Sequence, residues 1–104
     1  MRFIPSKPYL AFKDIALPQL RSQAAKLGTL PIGYKCNVKL VYYRGDRRKT
    51  DLVNLQEGTL DLLVEAGILE DDNYNIVASM DGSKVEYDKE NARTEITITK
   101  LKKG

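Results

Sequence analysis

The sequence predicts a small α+β domain, with two main helices packed on one face of a small mixed or antiparallel sheet in the order α-β-α-β-(β)-β. Three observations carry this. Residues 51–66 repeat apolar side chains at helical spacing and stop at Gly67. The segments Cys36–Tyr42 and Arg93–Leu101 alternate apolar with polar residues, the period of a half-buried strand. With 104 residues, no internal repeat and no linker-like stretch, the chain is expected to form one domain spanning 1–104 around a single thin core.

In chain order, Ser6-Lys7-Pro8 is a helix start, with Ser6 as N-cap and Pro8 in the first turn. Tyr9, Phe12, Ile15, Ala16, Leu20, Ala24 and Leu27 then keep helical spacing up to Gly28, and Pro18 is expected to kink or split this helix. Thr29–Gly33 reads as a turn. Cys36, Val38, Leu40 and Tyr42 form the inward side of a strand, against Asn37, Lys39 and Val41.

The second helix, 51–66, is the best defined. Leu52, Leu55, Thr59, Leu62, Leu63 and Ala66 fall on one stripe, and Asp51, Asn54, Glu57, Gly58, Asp61 and Glu65 on the other. Asp51 stands where the helix macrodipole favours a carboxylate. Residues 74–80 suggest a strand with Ile76, Ala78 and Met80 on one side; Asp81-Gly82 marks a turn, 84–87 a short strand, and 93–101 the last strand.

Composition excludes whole classes of chemistry. The chain has no histidine, so it holds no Ser-His-Asp triad, no Cys-His pair and no imidazole general base. One cysteine, Cys36, permits neither an intrachain disulfide nor a cysteine zinc site, and suits a small core position in a reducing, cytoplasmic setting. No apolar run has membrane-spanning length, and no signal-peptide core is expected. Seventeen Lys+Arg against 14 Asp+Glu leave a net charge of +3, weakly in favour of a polyanionic partner. Distribution says more: Arg44, Arg47, Arg48 and Lys49 form a basic loop diluted by Asp46, whereas Glu70, Asp71 and Asp72 form an acidic triplet.

Basic residues hold phosphate backbones. Carboxylates on fixed elements suit a hard cation such as Mg²⁺, which activates water and steadies a phosphate oxyanion. Taken alone the acidic pattern is unspecific, and a solvated helix face and a solvated turn are its plainer reading. Geometry restrains it further. A 51–66 helix is about 24 Å long, and the return from Gly67 to Asp72 reaches at most roughly 20 Å. Asp72 thus meets Glu57 or Asp61 easily, but Asp51 only by a nearly straight return or by way of a second subunit. Tyr42 and Tyr43 adjoin the basic loop; base stacking is open to them, but one inward and one outward strand tyrosine is the favoured account. Contact with a phosphate backbone is open to the tail of Lys100, Lys102 and Lys103, but charged termini of this kind are ordinary.

The run Gly45-Asp46-Arg47-Arg48-Lys49-Thr50-Asp51-Leu52-Val53-Asn54-Leu55-Gln56, followed by Asp61, Ala66-Gly67 and Asp71-Asp72, resembles the RusA family of Holliday-junction resolvases. These enzymes carry a basic run, an Asp-x-Asp-Asn-Leu motif, a helix and a closing Asp-Asp. The similarity covers about 38–80 and, more loosely, Thr94–Thr99; Ile4–Tyr9 resembles the segment leading into the family's first helix, with the usual leading strand shortened or missing.

The resemblance implies a RusA-like fold and a homodimeric, Mg²⁺- or Mn²⁺-dependent endodeoxyribonuclease. Such an enzyme resolves four-way DNA by paired symmetric nicks during recombination and repair, in a bacterial or phage-infected cytoplasm. Carried onto this chain, the resemblance assigns Asp51 and Asp72 to catalysis and Asp51, Asp72 and Asp71 to the metal; Glu57 joins the catalytic set as a substituted position, and Arg44, Arg47, Arg48, Lys49 and Asn54 are expected to hold DNA. Two positions depart from the family pattern: Val53 replaces the second motif aspartate, and Glu57 replaces a lysine. The lysine's role then passes to Lys49, and Asp51, Glu57, Asp61 and Asp72 form a rearranged acidic set. The alternatives are a degenerate member that binds branched DNA without cutting it, and a small domain that docks proteins on its acidic helix face.

Overall fold

The computed structural model describes residues 2–3, 9–26, 28, 30–45 and 51–101. Its elements are β1 (Arg2–Phe3), α1 (Tyr9–Ala24), β2 (Cys36–Arg44), α2 (Leu52–Glu65), β3 (Val77–Ser79), β4 (Lys84–Tyr87) and β5 (Arg93–Lys100). The expected Ser6 cap, Pro8, Leu27 and Thr29 lie outside the described residues, as do the side chains of Tyr9, Phe12 and Ile15.

β2 is the central strand. Its inward residues Cys36, Val38, Leu40 and Tyr42 are buried in one core with Ala16, Leu20 and Ala24 of α1, Leu62 and Leu63 of α2, and Ile96 of β5. Both helices therefore cover the same face of the sheet, as the periodicities predict. The sheet is mixed, in the order β1-β5-β2-β3 with β4 also on β2. β5 runs antiparallel to β2 from Cys36↔Lys100 to Tyr43↔Arg93. β3 and β4 run parallel to β2, β3 beside Cys36–Asn37 and β4 beside Val41–Arg44. Between them the chain leaves the ladder at the Asp81-Gly82 turn, where Gly82 takes φ 88°. Side chains bridge the gap: Asn37 Oδ1 accepts from Ser79 Oγ and Asp81 N–H, and Ser83 Oγ accepts from Leu40 N–H.

The leading strand is present but short: β1 has two residues, pairing antiparallel with Thr94 and Glu95. Three expectations need correction. α1 is continuous through Pro18 rather than split, and it ends at Ala24, before the expected 27. The strand expected at 74–80 shrinks to Val77–Ser79. Asn73 takes the preceding backbone, its Oδ1 accepting from Asn75 N–H and its carbonyl from Ile76 and Val77 N–H, so a side-chain-capped turn outcompetes the ladder. Val41, expected on the solvated side, is buried, with Lys84 and Glu95 in register on either side of it.

Candidate active site

α2 is fixed at its start by Asp51, whose extended backbone (φ −98°, ψ 112°) and side chain accepting from Val53 N–H at 3.0 Å make it the N-cap. The carboxylate expected in catalysis is thus also the group that satisfies an orphan donor of the first turn. At the other end Gly67 takes φ 77°, which lets the chain reverse after Ala66.

The first half of α2 is tied to β2 by Tyr42. Its Oη lies 2.9 Å from the Leu55 carbonyl and 2.6 Å from Thr59 Oγ1, and Thr59 Oγ1 donates to the same carbonyl at 2.8 Å. Two hydroxyl protons are shared among the three short contacts, so two hydrogen bonds form at a time within this largely buried triangle. Burial pushes the Tyr42 phenol up to about 12. Tyr42 is therefore the inward tyrosine. Tyr43 lies on the opposite face under the Arg93 guanidinium, 3.8 Å from the ring centroid. Arg93 also pairs with Asp88 and Glu95, and its hydrogen bond holds the Asp88 carboxyl below the usual aspartate range. Cys36 is buried, as expected, with its thiol donating to the Ile76 carbonyl and its pKa raised by burial.

Asp71 and Asp72 follow α2 on a short ordered loop. Asp71 Oδ1 accepts from Asp72 N–H at 2.7 Å. This loop runs beside the segment leading into β2: Ile32 N–H donates to the Ile68 carbonyl, Glu70 N–H to the Ile32 carbonyl, and Cys36 N–H to the Ile76 carbonyl. Asp72 holds its proton more tightly than an ordinary aspartate, through partial desolvation, then the neighbouring Asp71, then the charge of Asp61.

The carboxylates therefore divide between two ends of the molecule. Asp51 belongs to the end near Tyr42 and Arg44, and Asp71 and Asp72 to the end near Cys36. Between Tyr42 and Cys36 lie about 20 Å of strand. Asp61, which Asp72 feels, stands about 15 Å of helix rise from Asp51. Glu57 and Asp61 are exposed one turn apart on the solvent side of α2, as are Asn54 and, largely, Val53 at 58% exposure. Among the described residues no three acidic or cysteine side chains gather closely enough to hold a metal ion. Arg44 ends β2, in register with Tyr87. Arg47, Arg48 and Lys49, and the tail residues Lys102 and Lys103, lie outside the described residues. Tyr34, Lys35 and Tyr74 are exposed near the Asp71–Asp72 end, on short, aperiodic turn segments that carry no pattern to mark them in the sequence.

Fold and residue chemistry together define a class: an α+β domain without histidine, whose candidate reactive groups are exposed carboxylates. Within that class the chain belongs to the RusA endodeoxyribonuclease family, whose model, described as Endodeoxyribonuclease RusA, matches residues 6–99. No curated protein matches the chain. Among the described residues, no helix is long and apolar enough to cross a membrane.

Proposed function

We propose that this nuclease is a metal-dependent Holliday-junction resolvase that acts as a homodimer on branched DNA, making paired symmetric nicks in recombination and repair. The family match over 6–99 carries the reading. The residues fit a hard cation in kind, because the candidate donors are carboxylate oxygens and Asp71 and Asp61 add negative charge at Asp72. Asp72 and Asp71 would hold the ion with Asp51, and Glu57 and Asp61 enlarge the acidic set in place of the aspartate that Val53 lacks. The ion supplies, when bound, a polarised water and charge stabilisation at phosphorus. Arg44, Arg47, Arg48 and Lys49 hold phosphates, and Asn54 contacts DNA beside them. Lys49 takes the oxyanion-steadying role that Glu57 cannot perform.

The separation of Asp51 from Asp72 supports a site completed across a dimer, in which Asp51 of one protomer meets Asp71 and Asp72 of its partner. A two-fold dimer also matches a two-fold junction.

Complementation tests this reading. Asp51→Asn and Asp72→Asn should each abolish cleavage of a four-way junction while sparing binding. After subunit exchange a mixture should regain about a quarter of the sites, because half the dimers are mixed and each mixed dimer keeps one intact composite site. These dimers should make single rather than paired nicks. Cleavage by Asp72→Asn alone would overturn the site; an inactive mixture with proven exchange would overturn the shared arrangement.

A further inference from the structure

The Asp71–Asp72 end of the sheet carries a second group of residues suited to nucleic acid. Tyr74 is the most exposed large apolar side chain among the described residues, at 75%, and Tyr34 is exposed as well, at 40%. The fold brings them to one end. Gly33–Lys35 is flanked on one side by the 68–76 loop, through the Ile32 and Cys36 hydrogen bonds, and on the other by the end of β5, through Leu101 N–H donating to the Lys35 carbonyl. Lys100, in register with Cys36, sets its ammonium 4.9 Å from the centroid of the Tyr34 ring, and Lys35 is exposed beside it.

Tyr74 is displayed on a built turn. Asn73 closes that turn with its side chain on Asn75 N–H and its carbonyl on Ile76 and Val77 N–H, and buried Ile76 anchors it against Cys36. The turn fixes the backbone that presents the ring, two positions after Asp72, so that stacking has only the side chain itself left to order. Lysines paired with exposed rings are the chemistry that takes an unstacked base and its flanking phosphates.

We propose that Tyr74, Tyr34, Lys35 and Lys100 form a DNA contact that seats an unstacked nucleotide and its phosphates beside the Asp71–Asp72 pair. This contact is separate from the basic loop and rests on the reading of the chain as a junction nuclease. It orients the strand to be cut and sets its phosphate beside the carboxylates that would hold the cation.

The chain has no tryptophan, so Tyr74→Trp provides a single fluorescent reporter. The probe is an immobile four-way DNA junction in EDTA, where no cutting occurs. The indole emission of the Tyr74→Trp variant should be quenched at saturating junction. Tyr74→Ala should weaken binding roughly 5- to 160-fold and Tyr74→Phe should restore it. A Lys35→Ala/Lys100→Ala variant should lower the slope of log K against log salt by about 1.4. Binding with unquenched emission, unchanged affinity for Tyr74→Ala and an unchanged salt slope would overturn the contact and leave the nuclease reading standing. Failure of the wild-type chain to bind the junction at low salt would instead overturn the nuclease reading, and this contact with it.

Discussion

Replacing Asp72 by asparagine should make the folded chain more stable while removing its activity. Asp72 sits beside Asp71 and within reach of the charge of Asp61, and it holds its proton more tightly folded than unfolded. Between the unfolded and folded pKa the native state binds more protons, so stability falls as pH rises through that window, just above the ordinary aspartate value of about 3.9. Two unit charges about 4 Å apart in water interact by about 1 kcal/mol. Asp72 is exposed, so screening reduces this to a few tenths of a kcal/mol. For a domain of this size that is about 1–3 °C in Tm. Asp72→Asn should therefore melt slightly higher than wild type near neutral pH in EDTA, and the difference should vanish below the ordinary aspartate pKa. Magnesium should invert the order: a bound ion at tenfold its Kd stabilises wild type by about 1.4 kcal/mol and the variant by less. Thermal melts followed by circular dichroism would show both effects. A variant less stable than wild type in EDTA near neutral pH, or an offset unchanged in acid, would refute the reasoning.

Three further outcomes are expected. Tyr42→Phe and Thr59→Val should each cost about 1 kcal/mol, but the double variant less than their sum, because the two remove one shared network; a double-mutant cycle by urea unfolding measures the coupling, and strict additivity would contradict it. Asp51→Ala should lose about 1 kcal/mol with the N-cap, whereas Asp51→Asn, which still caps, should lose only a few tenths; equal losses would show that the cap bond carries no weight. Val53→Asp should raise the cleavage rate by restoring a carboxylate beside Asp51. It should also leave stability equal or slightly higher, because the first helical turn favours negative charge; a clear drop in Tm would contradict the placement at the helix N-terminus.

The elements legible in the sequence were those whose stability is local. α2 announced itself by an aspartate at its positive end, a leucine stripe and a reversing glycine, and all three stand there, the aspartate one position outside the helix as its N-cap. β2 and β5 showed because one face of each is buried in a shared core. β1 escaped because two paired residues carry no period, and β3 was overextended because the Asn73 turn competes for the same backbone donors. That β3 and β4 both run parallel to β2 depends on how distant segments pack, which periodicity does not record. At the candidate site, helix rise left Asp51 and Asp72 a meeting only by a nearly straight return or through a second subunit, and in the fold they lie toward different ends of β2. The cap bond of Asp51 is a local detail that helical spacing does not record, whereas the reach of Asp61 to Asp72 and the tyrosines and lysines at that end are tertiary facts.

The most direct test of the central claim is cleavage of a labelled immobile four-way junction, followed on both strand pairs, with Mg²⁺ or Mn²⁺ and again in EDTA. A resolvase of the proposed kind makes symmetric nicks on two opposed strands with the cation, and none without it, while binding the junction in both. Tight, salt-sensitive binding with no cleavage in either metal would mean that the substitutions at Val53 and Glu57 have left a junction-binding protein that does not cut.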